Sequence, residues 1–432
     1  MTDLYSPLSS LKKGRWFKLI CGASFQSLPA VRNLTLAYTL AGADCIDVAA
    51  DAAVILAAQE ARQAATRLTD EARQRGGGGS GKTPPWLMVS FNDGEDPHFR
   101  KAEFNRADCP TDCPRPCEDI CPAQAIVFPP PAVPALLPGV MADRCYGCGR
   151  CLPVCPSQLI YTRSYVSRPG AIAPLVLSTG IDAVEIHTQV GRLADFKRLW
   201  ETIVPWVDQL RLVAISCPDG DDLIDYLGSI YNLISPLPCP LLWQTDGRPM
   251  SGDIGDGTTR AAVKLGQKVL AAGLPGYVQL AGGTNSYTVA KLRALGLLKE
   301  ERGRGRGEEG GTEEDKAQPN ALLEAPSPPL LPSLTKFRSE GASARTSRSF
   351  ISGVAYGSYA RALLSPILDQ LEKMEVNQAS RTPTMRLEAH PDLLWQAVTL
   401  AHTLVAQLKS PQVALSLGAE QSLAPLTFRH RS

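Results

Sequence analysis

Four short runs decide the fold: Ala183-Val-Glu-Ile-His187, Leu210-Arg-Leu-Val-Ala-Ile-Ser216, Leu241-Leu-Trp-Gln244 and Tyr277-Val-Gln-Leu280. Each is short, rich in β-branched or aromatic residues, and separated from the next by a stretch with helical periodicity. That alternation is the pattern of βα units around a parallel sheet. Working outward toward the amino terminus, Trp86 to Phe91, Cys45 to Val48 and Phe17 to Cys21 repeat it. A helix from about Leu28 to Ala41 and an Ala-rich helix ending before Gly76 to Gly79 lie between them. Toward the carboxyl terminus, Ile351 to Tyr356 reads as one more strand, followed by a helix over Ala360 to Lys373. Eight such units in 432 residues predict a (β/α)8 barrel in the α/β class. An open doubly wound sheet is the competing architecture, because spacing does not show closure.

The pattern is interrupted twice. Residues 106–160 carry eight cysteines and many prolines and would sit in the third βα loop; residues 301–348 would sit in the loop before strand eight. The second interruption, with RGRGRGEEGGTEEDKAQPN and APSPPLLPSL, has eight acidic and eight basic residues and no hydrophobic period, so it reads as a self-neutralising linker expected to be disordered. The expected organisation is a first barrel part at 1–105, the insert at 106–160, a second barrel part at 161–300, the linker at 301–348, a last βα unit at 349–380 and a helical tail at 381–432. The tail's periodicity is clearest around Leu393 to Leu408.

The chemistry lies in the cysteines. Cys145-x2-Cys148-x2-Cys151-x3-Cys155-Pro156 has the bacterial ferredoxin spacing. Three thiolates two residues apart wrap one face of a cubane, while the fourth is too far along the chain to close the same cluster. Gly147 and Gly149 allow close backbone approach to inorganic sulfide. The preceding run, Cys109-x3-Cys113-x3-Cys117-x3-Cys121-Pro122, ends alike: CPAQAI and CPSQLI are two copies of one unit. In two-cluster ferredoxins the fourth cysteine of each run binds the other cluster. One [4Fe-4S] centre would then use Cys145, Cys148, Cys151 and Cys121, and the other Cys109, Cys113, Cys117 and Cys155. The wider gaps of the first run leave open whether it holds a full cluster. Zinc is the alternative metal. Cys21, Cys45, Cys217 and Cys239 remain and read as small apolar side chains of the core.

Composition narrows the partners. Lys and Arg total 44 and Asp and Glu 43, a formal charge of +1 that argues for protein partners and against nucleic acid. Neither a secretory signal nor an apolar run of about 18 residues is present, so a cytoplasmic protein without a transmembrane segment is expected. In that reducing compartment, clustered cysteines are metal ligands more readily than disulfides.

Other residues would face the carboxyl rim of a barrel. Gly282, Gly283 and Thr284 at the end of strand seven, and Gly357 and Ser358 after strand eight, lie where barrels place a phosphate group, so a flavin or phosphate ligand is a candidate there. The same glycines equally serve tight βα turns. Asn92, Asp93, His187, Asp246 and Arg248 also fall at strand ends, where turn chemistry accounts for Asn and Asp as well as catalysis does. His98, His390, His402 and His430 have no metal spacing. No dinucleotide fingerprint, Walker loop or Ser-His-Asp order is present, so no catalytic residue is assigned.

The opening Lys12–Gln26 (KKGRWFKLICGASFQ), the segment Leu34–Val54 (LTLAYTLAGADCIDVAADAAV), the twin cysteine runs and Val278–Leu292 (VQLAGGTNSYTVAKL) together resemble the cyanobacterial light-dependent period protein A family. The resemblance implies an iron-sulfur protein that carries light-driven redox state into the circadian clock and adjusts its period, in association with clock oscillator proteins and an input histidine kinase. On that reading the clusters exchange electrons with a photosynthetic carrier such as plastoquinone or ferredoxin, and the protein is a sensor more readily than an enzyme. Two alternatives stand beside it: a flavin-dependent oxidoreductase whose barrel site is fed by the clusters, and a scaffold in which the clusters are structural.

Overall fold

The computed structural model describes residues 6–21, 28–74, 83–94, 100–121, 124–128, 139–141, 144–145, 151–164, 169–247, 257–299, 350–377 and 386–409. The expected linker and the end of the expected tail lie outside them. The described residues belong to one compact unit.

In chain order the elements begin with α1 (Pro7–Lys13), β1 (Trp16–Ile20), α2 (Leu28–Ala41), β2 (Cys45–Ala49), α3 (Ala52–Gln74) and β3 (Trp86–Asn92). The cysteine-rich segment follows, with β4 (Arg100–Glu103), α4 (Pro116–Asp119), α5 (Cys151–Val154) and β5 (Tyr161–Ser164). Then come α6 (Pro169–Leu177), β6 (Ala183–His187), α7 (Leu193–Ile203), β7 (Leu212–Pro218), α8 (Leu223–Ile234), β8 (Leu241–Asp246), α9 (Thr259–Ala271), β9 (Tyr277–Ala281), α10 (Thr288–Ala294), β10 (Gly353–Tyr356), α11 (Ser358–Asn377) and α12 (Pro391–Lys409).

Eight strands close into a parallel barrel in the order β1-β10-β9-β8-β7-β6-β3-β2, and β1 pairs with both β2 and β10. Closure excludes the open sheet. Alternation along each strand divides the core in two. Outward residues such as Phe17, Leu19, Ile46, Val48, Val89, Val184, Ile215 and Leu280 pack under the surrounding helices. Inward residues near the amino ends of the strands, Trp16, Cys45, Trp86, Met88, Ala183, Leu212, Leu242 and Tyr277, form a separate cluster with Leu11.

Leu11 belongs to α1, an element the sequence pattern does not announce. Gly14, left-handed at φ 74°, ends this helix by donating to the Ser10 carbonyl. The helix thereby presents Leu11 and Leu8 to the amino-terminal end of the barrel core. The far end of the chain is equally integrated. Helix α12 packs on α2 and α11, and the buried Lys409 Nζ bonds the Asp44 carboxylate at 2.6 and 2.5 Å and Ser10 Oγ at 2.6 Å. Asp44 in turn accepts from the Phe17 amide at 2.8 Å. The tail helix therefore holds the start of β1 and the turn before β2 together.

Strands β4 and β5 pair antiparallel, with Arg100 opposite Ser164, and bracket the cysteine segment. Ala102 and Phe104 pack with Cys117, Ala125, Ile126, Val140, Cys145, Cys151 and Ile160 in a small core distinct from that of the barrel. The insert thus has its own core, opened and closed by one hairpin.

Candidate functional site

The two cysteine runs fold as copies of one unit. Each places its third cysteine in a short helix, Cys117 in α4 and Cys151 at the start of α5, four residues before its closing cysteine. Each closing cysteine then begins the same turn. Gln124, at φ 48°, donates its amide to the Cys121 carbonyl at 3.0 Å, and Gln158, at φ 51°, donates to the Cys155 carbonyl at 3.1 Å. After each closing cysteine a left-handed glutamine redirects the chain.

The copies also interlock. Burial first, then the neighbouring thiols Cys113 and Cys155, push the Cys109 thiol up. Burial and the nearby Cys155 push Cys117 up to about 11. The closing cysteine of the second run therefore stands near Cys109 and Cys117 of the first run. From the other side, Cys121 Sγ accepts from the Ala125 amide at 3.2 Å, the Ala125 carbonyl accepts from Met141 at 2.7 Å, and the Met141 carbonyl accepts from Cys145 at 3.0 Å. The last cysteine of the first run is thus linked by two backbone bonds to the first cysteine of the second. Cys148 lies outside the described residues.

Among the described residues no three His, Cys, Asp or Glu side chains are grouped around a single-ion position. The donor set fits an iron-sulfur cluster on other grounds. It is all thiol, it lies in an apolar core, and backbone amides point at its sulfurs: Ala125 at Cys121, and Ala102 at Cys145 Sγ at 3.4 Å. Such N–H···S bonds orient thiolate ligands and stabilise added negative charge.

The donor to Cys145 sits on β4, and β4 is tied to the barrel. Lys101 Nζ is 3.1 Å from Asp51 Oδ2, with both side chains largely buried. Asp51 follows β2 at the carboxyl end of the barrel and accepts from the Ala53 amide at 2.8 Å, in the first turn of α3.

Beneath that end, the barrel interior is polar. Lys18 on β1 is fully buried; its Nζ contacts Glu185 Oε2 on β6, Asp47 Oδ2 on β2 at 3.3 Å and Met88 Sδ at 3.7 Å. Ser90 Oγ donates to Asp47 at 2.6 Å. Gln244 Nε2 donates to Glu185 Oε1 at 2.7 Å and to Ser216 Oγ at 3.1 Å. Gln279 donates to Gln244 Oε1 at 2.5 Å and receives the Trp16 indole N–H at 2.8 Å. His187 Nε2 lies 3.1 Å from Glu185 Oε1. Burial alone would raise the Glu185 pKa, but Lys18 and His187 outweigh it and hold the carboxyl down at about 2. Burial works against a charged Lys18 as well, yet the charges of Asp47 and Glu185 move its pKa upward, so this ammonium is no neutral nucleophile. The His187 imidazole is raised in spite of burial, chiefly by its bond to Glu185 and that residue's charge.

The rim residues separate. His187 ends this network. Asp93 instead braces the β6 end: it accepts from Thr188 Oγ1 at 2.5 Å and pairs with Arg192 Nε at 3.2 Å. Asn92 pairs in register with His187, and Asp246 ends β8 opposite Ala281. Arg248 lies outside the described residues. The glycine turn after β9 serves the backbone. Gly282 and Gly283 are left-handed at φ 66° and 87°, and a Cβ on Gly283 would stand 2.9 Å from the Thr258 carbonyl oxygen. Thr258 Oγ1 donates to the Gly283 carbonyl at 2.7 Å, and Thr284 Oγ1 donates to the Ala355 carbonyl on β10 at 2.6 Å. At the start of α11, Ser358 Oγ accepts from Arg361 Nη2 at 3.2 Å, and Arg361 Nη1 donates to the Ile20 carbonyl at 3.0 Å across Gly357. Of the four other cysteines, Cys21, Cys45 and Cys217 are buried in the core and Cys239 is half-buried against it.

No described helix is long and apolar enough to cross a membrane. Comparison with known proteins bears on the whole chain. Residues 109–166 match the family described as LdpA Fe-S cluster-binding domain, and residues 175–407 match Light dependent period A C-terminal domain. A Synechococcus elongatus protein named Light dependent period A is 45% identical over 403 residues, covering 93% of this chain and 94% of that protein. Among solved structures, Mycobacterium tuberculosis tryptophan synthase is similar at a TM-score of 0.36 and 10% identity, covering 94% of this chain and 97% of that one, a likeness too loose to bear on function. With an Fe-S-binding segment set into a barrel, and with similarity along nearly its full length, the chain belongs to the light-dependent period A family.

Proposed function

We propose that the protein is an iron-sulfur redox sensor that conveys light-dependent cellular redox state to the circadian clock and so adjusts period length. The observation that carries this reading is the interlock of the two cysteine copies, in which Cys155 stands by Cys109 and Cys117 while Cys121 is bonded toward Cys145. It supports one [4Fe-4S] cluster on Cys109, Cys113, Cys117 and Cys155 and a second on Cys121, Cys145, Cys148 and Cys151. The clusters supply one-electron exchange with a carrier such as plastoquinone or ferredoxin in the cytoplasm. The chain's own residues do the reporting. The Ala102 and Ala125 amides respond to charge on the ligand sulfurs, and β4 passes that response to the barrel through Lys101 and Asp51. The surface so altered is offered to clock oscillator proteins and an input histidine kinase. Left-handed backbone geometry accounts for Gly282 and Gly283, and the proposal assigns no flavin to them or to Gly357.

The test is partner binding by the fully oxidised and fully reduced protein, together with light-dependent period measured in cells carrying Cys113→Ser or Cys148→Ser. Redox-dependent binding and a lost light response support the sensor. Equal binding by both redox forms makes the clusters structural staples.

A further inference from the structure

We propose that the mouth of the barrel binds a small monocarboxylate, received by the His187 imidazole, which Glu185 holds in place from below. A barrel that serves only as a mount is filled by layers of Val, Ile and Leu. Here the middle layer is Lys18, Asp47, Glu185, Gln244 and Gln279, all buried. Stability does not explain their retention, because replacing a buried ion pair by apolar residues of similar volume is commonly neutral or favourable. Buried charge networks with perturbed proton affinities concentrate instead at functional sites. This network also has a direction. It starts at the Trp16 indole near the closed end of the barrel and finishes at His187, whose side chain is 35% exposed at the carboxyl end. Barrel enzymes build their sites at that end.

The chemistry at the mouth selects the ligand. His187 Nε2 is committed to Glu185, which favours the protonated ring; in that form Nδ1 is a second donor, and it has no partner among the described residues. Ser216, in register beside His187, accepts from Gln244 and so has its O–H left to donate. Ala49 and Ala281 end β2 and β9 with methyl groups, where larger side chains would close the mouth. Two donors over a small floor suit a carboxylate. Asp246, which strand alternation turns inward opposite Ala281 and two residues beyond the register partner of Ser216, together with Glu185 and Asp47 below, disfavours a second negative charge on the ligand. Gln244 and Lys18 fix Glu185, and Glu185 fixes the imidazole. The site is therefore set before the ligand arrives, and it is independent of the cluster assignment.

The test uses the full-length, cluster-loaded oxidised protein with isotopically labelled histidine. The chain has five histidines, and His187→Asn, on the half-exposed rim, assigns the relevant resonance by its loss. Acetate, pyruvate and inorganic phosphate are titrated at constant ionic strength. The expected result is a saturable shift of the His187 resonance by acetate or pyruvate, with the other histidines unmoved and phosphate at least about tenfold weaker. Ser216→Ala should weaken the carboxylate by about tenfold, the loss of one hydrogen bond, while leaving the ligand-free His187 shift in place. No shift with either carboxylate, a parallel drift of all histidines, or tighter binding of phosphate would overturn the proposal.

Discussion

Lys101 and Asp51 form an ion pair at 3.1 Å that joins the strand opening the cysteine module to the first turn of a barrel helix. The next amide along that strand, Ala102, donates to Cys145 Sγ. Position and electrostatics are therefore coupled: the residue that anchors β4 also fixes an N–H aimed at the sulfur of Cys145, a proposed cluster ligand.

Lys101→Met should release that anchor. Weakening the Ala102 donor makes the reduced state less favourable at the cluster bound by Cys145, so one of the two midpoint potentials moves to lower values. The cluster bound by Cys109 and Cys113 stays where it was. Lys101→Arg, which keeps the charge, should restore the original value. An EPR-monitored redox titration reads both clusters at once, and unchanged potentials with full iron content would remove the coupling.

The tail helix should matter to stability. Lys409→Met leaves Asp44 buried without its ammonium, and breaking one side of a buried pair costs about 3–5 kcal/mol. The pair Lys409→Met with Asp44→Asn should recover part of that loss, since neither charge is then left alone. Urea unfolding curves provide the comparison, and a single-variant loss below about 1 kcal/mol would show that the pair carries no weight.

Proton affinity in the barrel core has a definite sign. The folded His187 pKa is raised above its unfolded value, so its contribution to stability is present below about pH 6.5 and is lost as the pH rises through the folded pKa. Lys18, Asp47, Glu185 and Asp93 are charged groups that act on it. Glu185→Gln should lower the His187 pKa measured by NMR. An unchanged value would mean that Glu185 does not hold the imidazole.

Gly283→Ala should destabilise the β9 turn on two counts: the left-handed φ and the 2.9 Å approach of the new methyl carbon to the Thr258 carbonyl oxygen. A cost of about 1–3 kcal/mol is expected. Gly180 is also left-handed, but an added methyl carbon there would have nothing within 4 Å, so the same substitution should cost less. Thermal melts of the two variants decide it, and equal costs would mean that crowding at Gly283 adds nothing.

Much of this architecture is legible in the residues alone. All eight barrel strands follow from short, largely apolar runs, most of them bounded by Gly, Pro, Asp or Asn, because a strand buried on both faces is apolar along most of its length. The twin cysteine units follow from spacing. The hairpin β4–β5 is harder, since Arg100-Lys-Ala-Glu103 is polar and draws its stability from pairing with a strand about sixty residues away in sequence. Helix α1 is short and becomes meaningful only when the barrel end that Leu11 covers exists. The polar core did leave a trace: Lys18, Asp47 and Gln279 are each the single polar residue of an apolar strand, while Glu185 shares β6 with His187 and Gln244 shares β8 with Thr245 and Asp246. Which of them meet depends on strand order and depth, and those emerge only on closure.

The proposed pair of crossed clusters makes a definite demand on metal content and on the pairing of ligand variants. Anaerobic reconstitution should give about eight irons and eight sulfides per chain. Cys155→Ser should abolish the same EPR signal as Cys113→Ser, and Cys121→Ser the same signal as Cys148→Ser, with about four irons retained in each variant. About four irons in the unaltered protein, bound zinc, or a Cys155 variant that loses the signal assigned to Cys148 would contradict it.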